Sequence, residues 1–115
     1  MDLKRGDLVI LSAPGSYGKP RPSVVLQSDV YDSTASVVVL LMTTRLHPDA
    51  PLIRYNVLPA PANGLKEPTD VMIDKIFTVP RERMGKKIGK LDPAKMTEIT
   101  AELAIFLGME GMHHL

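Results

Sequence analysis

Ala35-Ser36-Val37-Val38-Val39-Leu40-Leu41-Met42-Thr43-Thr44-Arg45 contains the longest apolar run of the chain, residues 37–42. Polar and apolar residues do not alternate in it, which is the pattern of a strand buried on both faces. The run is far too short to cross a bilayer, which takes about 20 apolar residues. Two threonines end it. In a strand, adjacent side chains point to opposite faces, so one hydroxyl stands near the solvent side whatever the register. The pair is open to two readings, as β-formers that close a strand or as hydroxyls placed for chemistry.

Around this run the chain reads as short strands separated by turns. A strand over 8–13 is rich in Val, Ile and Leu, and Pro14-Gly15-Ser16-Tyr17-Gly18-Lys19-Pro20 follows as a loop. A second strand is expected over 23–27. Residues 52–58 alternate, with Ile53, Tyr55 and Val57 on one face and Arg54 and Asn56 on the other, as in a half-buried antiparallel strand. Residues 71–79 form one long strand or two short ones, stopped by Pro80, with Asp74 as an interior acid that needs a partner. A short strand is expected over 86–91. The last element is a helix: Asp92 is a good N-cap, Pro93 fits the first helical position and Gly108 can end it. Met96, Ile99, Leu103 and Phe106 form its apolar stripe with Leu107 beside them, while Lys95, Glu98 and Glu102 face away. Tight turns throughout favour antiparallel pairing. The expected fold is therefore mainly β: five to seven short strands, in a small barrel or strongly bent sheet capped by a C-terminal helix.

Composition sets limits on the chemistry. The chain has 115 residues, 44% of them hydrophobic and 23% charged, which suits one domain spanning 1–115 with a frayed tail over 109–115. No cysteine is present, so disulfides and thiolate centres are excluded. His47 is the only histidine outside the tail, and no ligand spacing for a metal surrounds it. The first residues lack the apolar core of a signal peptide, which leads to an expectation of a soluble, cytoplasmic protein. Net charge is only +1, but between Asp74 and Lys90 six positive residues stand against two negative ones. That local excess suits contact with a polyanion, or a solvated turn.

Lys19-Pro20-Arg21-Pro22-Ser23 holds one arginine between two prolines. Each proline fixes its own φ and pushes the residue before it toward extended geometry. Arg21 is thus stiffened on both sides, and a guanidinium held that way suits bidentate contact with a phosphate or carboxylate. Pointing at water is the plain alternative.

In order, Arg5-Gly6-Asp7-Leu8-Val9, the Gly15-Ser16 loop, Arg21-Pro22-Ser23-Val24-Val25-Leu26, the strand ending Met42-Thr43-Thr44, Asp74-Lys75-Ile76-Phe77-Thr78-Val79 and the terminal helix resemble the MazF/PemK family of toxin–antitoxin ribonucleases. The resemblance runs from about residue 4 to residue 107. It implies an SH3-like barrel, usually a homodimer, that cleaves single-stranded RNA at short sequences without metal or other cofactor. It assigns the catalytic roles to Arg21 and Thr43, with Thr44 adjacent, and matches Asp74 to a family aspartate; Tyr17, Lys19, Lys75 and Phe77 are expected beside them as supporting or RNA-binding residues. The implied partners are single-stranded RNA and a cognate antitoxin that threads an acidic tail across the same groove.

Two departures from the family pattern touch that groove. The loop before the arginine often carries a glutamate where this chain has Tyr17, and the fifth-strand segment often carries a basic residue where it has Phe77. Both aromatics offer a face on which a base can stack. The proton acceptor is open between Asp74 and His47. Two other functions fit the same architecture: a CcdB-like growth inhibitor acting on DNA gyrase through its C-terminal helix, and a non-catalytic RNA-binding barrel.

Overall fold

The computed structural model describes residues 2–12 and 19–109. Within them lie β1 (Asp7–Ser12), β2 (Pro20–Val25), β3 (Ser36–Thr43), β4 (Arg54–Val57), β5 (Thr69–Pro80), β6 (Lys87–Lys90) and α1 (Pro93–Phe106). The strands make one curled antiparallel sheet in the order β4-β5-β3-β2-β1-β6. Tyr17 and the tail beyond Met109 lie outside the described residues.

The central strand β3 is buried on both faces, as its unbroken apolar run predicts. Leu40 and Met42 pack with Leu8, Val24, Val71 and Ile73 beneath Met96, Ile99 and Leu103 of α1. On the opposite face, Val37, Val39 and Leu41 join Val9, Leu11, Val25, Met72 and Val79. Burying each such side chain contributes about 1.5–3 kcal/mol, so the paired clusters dominate the stability of the sheet.

Strand β2 begins at Pro20, three residues before the expected 23. It pairs with β1 from Pro20 to Val24 but with β3 only from Ser23 to Val25. Pro20 and Pro22, which have no N–H to give, therefore occupy the part of β2 beyond its ladder with β3. Strand β4 is shorter than the expected 52–58, and Leu52 and Leu58 are exposed beside it. Its two-faced pattern holds, with Val57 in the core under α1 and Tyr55 packed against it. Strand β5 is one long strand rather than two, and its register against β3 shifts between Leu40 and Met42.

The helix starts as its sequence predicts: the Asp92 side chain accepts a hydrogen bond from the Ala94 amide at 2.8 Å, with Pro93 in the first turn. Its last turn corrects the expected stripe. Met96, Ile99 and Leu103 are buried, but Phe106 and Leu107 are 47% and 49% exposed, because the sheet does not reach under the end of the helix. Glu102 does not face away either. It is half-buried, and its Oε2 is buried with no hydrogen-bond donor among the described residues. Burial, and then the neighbouring Glu98, push its carboxyl above the ordinary value. Burial and a hydrogen bond to Glu98 push the Tyr55 hydroxyl up to about 12.

The sheet closes on itself through the turn after β4. The Lys90 amide donates to the Ala62 carbonyl at 2.9 Å, and buried Asn63 ties the turn by accepting from the Ala60 and Leu65 amides at 3.1 and 2.9 Å. The contact is so close that Gly89 is obligatory: a Cβ there would stand 2.4 Å from the Ala62 carbonyl oxygen. Gly89→Ala is expected to lower unfolding free energy by about 2 kcal/mol or more, read from urea titrations. Glu102 generates a second prediction. Its folded pKa is raised, so the stability it contributes is complete below its ordinary value of 4.5 and is lost as pH rises through the folded value. Glu102→Gln should therefore melt at a higher temperature than the parent at neutral pH. The gap should close as the pH is brought down to 4.5.

Candidate active site

Two adjacent strands bring Arg21 and Thr43 together. Ser23 pairs with Leu41 at the last rung between β2 and β3, and one step along each strand alternates faces, so two steps return Arg21 and Thr43 to the Ser23–Leu41 face. The Arg21 Nη1 donates to Thr43 Oγ1 at 3.2 Å. Below them the Ser23 hydroxyl donates to the Val9 carbonyl at 2.8 Å and anchors the start of β2. Thr43 is buried and Arg21 half-buried, at the place where both strands leave the core.

Thr43 Oγ1 accepts a second hydrogen bond, from the Arg45 amide at 3.1 Å. A hydroxyl has two lone pairs and one hydrogen. With both lone pairs engaged, the Thr43 hydrogen is left to donate. A guanidinium and a hydroxyl that both present donors at one point suit an oxyanion.

The other sequence candidates are spread around this pair. Lys19 is exposed at the mouth of β2. Thr44 is exposed too, and the alternation of the strand turns it away from Thr43 into a groove lined by Pro22, Ile10, Leu65, Lys66 and Lys86. Asp74 pairs with its neighbour Lys75 at 3.3 Å. Four residue steps along the strand separate Asp74 from the residue opposite Thr43, about 13 Å at the usual rise. Phe77 is half-buried and packs against the second core cluster, so part of its ring serves the interior. Within the basic run, Lys87 pairs with buried Asp7 at 3.2 Å and Arg81 Nε donates to the Thr34 carbonyl at 2.8 Å. Arg83 and Lys86 border a shallow groove with Pro20, beside the start of β2.

The residue that lies opposite Thr43 is Asp70, which the sequence reading passed over in favour of Asp74. Asp70 is 3% exposed and accepts from the His47 amide at 3.0 Å, from Asn56 Nδ2 at 3.1 Å and from Arg54 Nη1 at 3.3 Å. It stands just after Pro68-Thr69, where an acid reads as a turn residue. The available signal was the alternation of 52–58, which puts Arg54 and Asn56 on one face and so calls for an acid opposite them. Among the described residues no three His, Cys, Asp or Glu side chains converge as metal ligands do, and no helix is long and apolar enough to cross a membrane.

Residues 4–107 match the family described as PemK-like, MazF-like toxin of type II toxin–antitoxin system. A protein of Mycolicibacterium smegmatis described as a probable endoribonuclease MazF is 43% identical over 95% of this chain and 100% of its own length. An endoribonuclease in complex with its cognate antitoxin, from a mycobacterial species, superposes with a TM-score of 0.71 at 27% identity, over 94% of this chain and 95% of that one. The MazE–MazF structure of Deinococcus radiodurans superposes at 0.76 with 25% identity, over 95% of this chain and 99% of that one. Matched over residues 4–107, the chain belongs to the family of PemK-like, MazF-like toxins.

Proposed function

We propose that this chain is the toxin of a two-protein toxin–antitoxin module, and that it is an endoribonuclease acting on single-stranded RNA in the cytoplasm. The observation that carries the reading is the Arg21–Thr43 contact, two donors converging at the surface end of β2 and β3. Family membership and the 43% identity to a MazF endoribonuclease support it.

The chemistry follows from where charge builds. The ribose 2′-oxygen attacks the adjacent phosphorus, the bond from phosphorus to the 5′-oxygen breaks, and the products are a 2′,3′-cyclic phosphate and a 5′-hydroxyl. The 2′-hydroxyl loses a proton and the 5′-oxygen gains one. Between these steps negative charge accumulates on the non-bridging phosphate oxygens. Arg21 meets that charge with a full positive charge and several N–H groups, and it stays protonated throughout. Thr43 adds one O–H donor. Arg83 and Lys86 beside the start of β2, with Lys19 at its mouth, offer contacts for the flanking phosphates, which position the strand without reading its sequence. No metal enters this scheme. A homodimer and an antitoxin with an acidic segment laid over the same basic rim complete the reading, in line with the antitoxin complexes among its structural neighbours.

The test is to incubate the purified protein with total RNA in EDTA and to map new 5′ ends. Recurrent cuts within one short motif are expected. Arg21→Ala should lower the rate about 100-fold or more, and Thr43→Val, which keeps the shape and removes the hydroxyl, about 10- to 100-fold. RNA left intact by the parent protein, with gyrase trapped on DNA in a parallel assay, would replace this reading with that of a gyrase inhibitor.

A further inference from the structure

We propose that Asp70 is a positioning residue for the Thr43 hydroxyl and acts on it through the Arg45 amide. The inference rests on the reading of Arg21 and Thr43 as the pair that stabilises the phosphate.

A carboxylate taken out of water persists only where donors replace its hydration. Asp70, 3% exposed, has three, and two of them belong to the stretch that leaves β3 or to a side chain that grips it. Its Oδ2 accepts the backbone N–H of His47 at 3.0 Å. The same oxygen accepts from Arg54 Nη1 at 3.3 Å, and that nitrogen also donates to the Arg45 carbonyl at 3.0 Å. Residues 45–47 are therefore tied to one carboxylate at both ends: directly at the amide of His47, and through Arg54 at the carbonyl of Arg45. Asn56, donating to Oδ1 at 3.1 Å, fixes the orientation of the carboxylate from β4. Because Asp70 lies across the ladder from Thr43, this anchor holds the bend directly after the hydroxyl it serves.

The consequence is chemical. The bend delivers the Arg45 amide to Thr43 Oγ1 at 3.1 Å, while Arg21 Nη1 takes the other lone pair at 3.2 Å. Thr43 then has no acceptor capacity left, and its proton points away from both donors. Once the bend is released, the hydroxyl can rotate and accept from solvent or from the RNA, and it is no longer held as a donor to the phosphate. Asp70 thus sets the direction of a hydrogen bond in which it takes no part.

A double-mutant cycle on a single-stranded RNA substrate tests this. Asp70→Asn is expected to lower kcat about tenfold with KM within about twofold, the pattern of an interaction made in the transition state. If Asp70 works through Thr43, the Asp70→Asn, Thr43→Val double variant is no slower than Thr43→Val alone; multiplied losses would overturn the proposal. Arg54→Met removes the grip on the Arg45 carbonyl together with one of the three donors to Asp70, while keeping the carboxylate, and should give the same selective fall in kcat, which keeps the test open if Asp70→Asn folds poorly. Amide hydrogen exchange in the free protein supplies a readout that needs no RNA. The Arg45 and His47 amides should exchange about tenfold faster or more in both variants, while those of β1 to β3 keep their protection. Unchanged exchange at Arg45 overturns the role of Asp70. Absence of cleavage by the parent protein, with the Arg45 amide protected, would instead sink the ribonuclease reading.

Discussion

The structure depends on one constraint, that β3 must be dry on both sides. A strand with Val37, Val39 and Leu41 on one face and Leu40 and Met42 on the other cannot lie at the surface. The chain meets the demand asymmetrically. One face is covered by α1, and on the other the side chains of β1, β2 and β5 are joined by Leu3 and Met84. The core ends where β3 ends, and the first side chain past it that still faces inward is Thr43. The same face of β2 presents Arg21 there. The candidate site is the rim of the core, where a polar contact is sheltered enough to be directional and open enough to reach a ligand.

That location explains the polar chemistry packed beside so much hydrocarbon. Arg54 and Asn56 on β4 satisfy Asp70 on β5 across the sheet, while Thr43 on β3 accepts from the Arg45 amide of the bend. A buried acid without those partners would cost several kcal/mol. The set is also economical in sequence: alternation on β4 supplies Arg54 and Asn56 from the face that does not pack on the helix.

Much of the architecture was legible in the residues. The apolar run identified the central strand, the Asp92-Pro93 start identified the helix, and the alternation of 52–58 assigned the faces of β4. The pairing of Arg21 with Thr43 came from family resemblance, and no local pattern carries it, since it depends on the register of β2 against β3. Register also hid Asp70. Two acids in one long strand look alike until the ladder shows which of them faces Thr43, and the shift between Leu40 and Met42 puts that beyond simple counting. Helical spacing overreached in the opposite sense: it placed Phe106 in the stripe, but periodicity cannot tell where the sheet beneath a helix stops.

The strand order carries a consequence for how the molecule is made. Strand β1 has β2 on one side and β6 on the other, so Leu8 is paired with both Val24 and Gly89. The β1–β2 half of that arrangement is available early in synthesis, whereas the β6 half must wait until almost the whole described chain has left the ribosome. Pairings so distant in sequence are slow to form, and until they do β1 has an open edge. The β1–β2 pair that carries Arg21 can thus assemble well before the sheet that stiffens it, and the pairing of β1 with β6 has to follow.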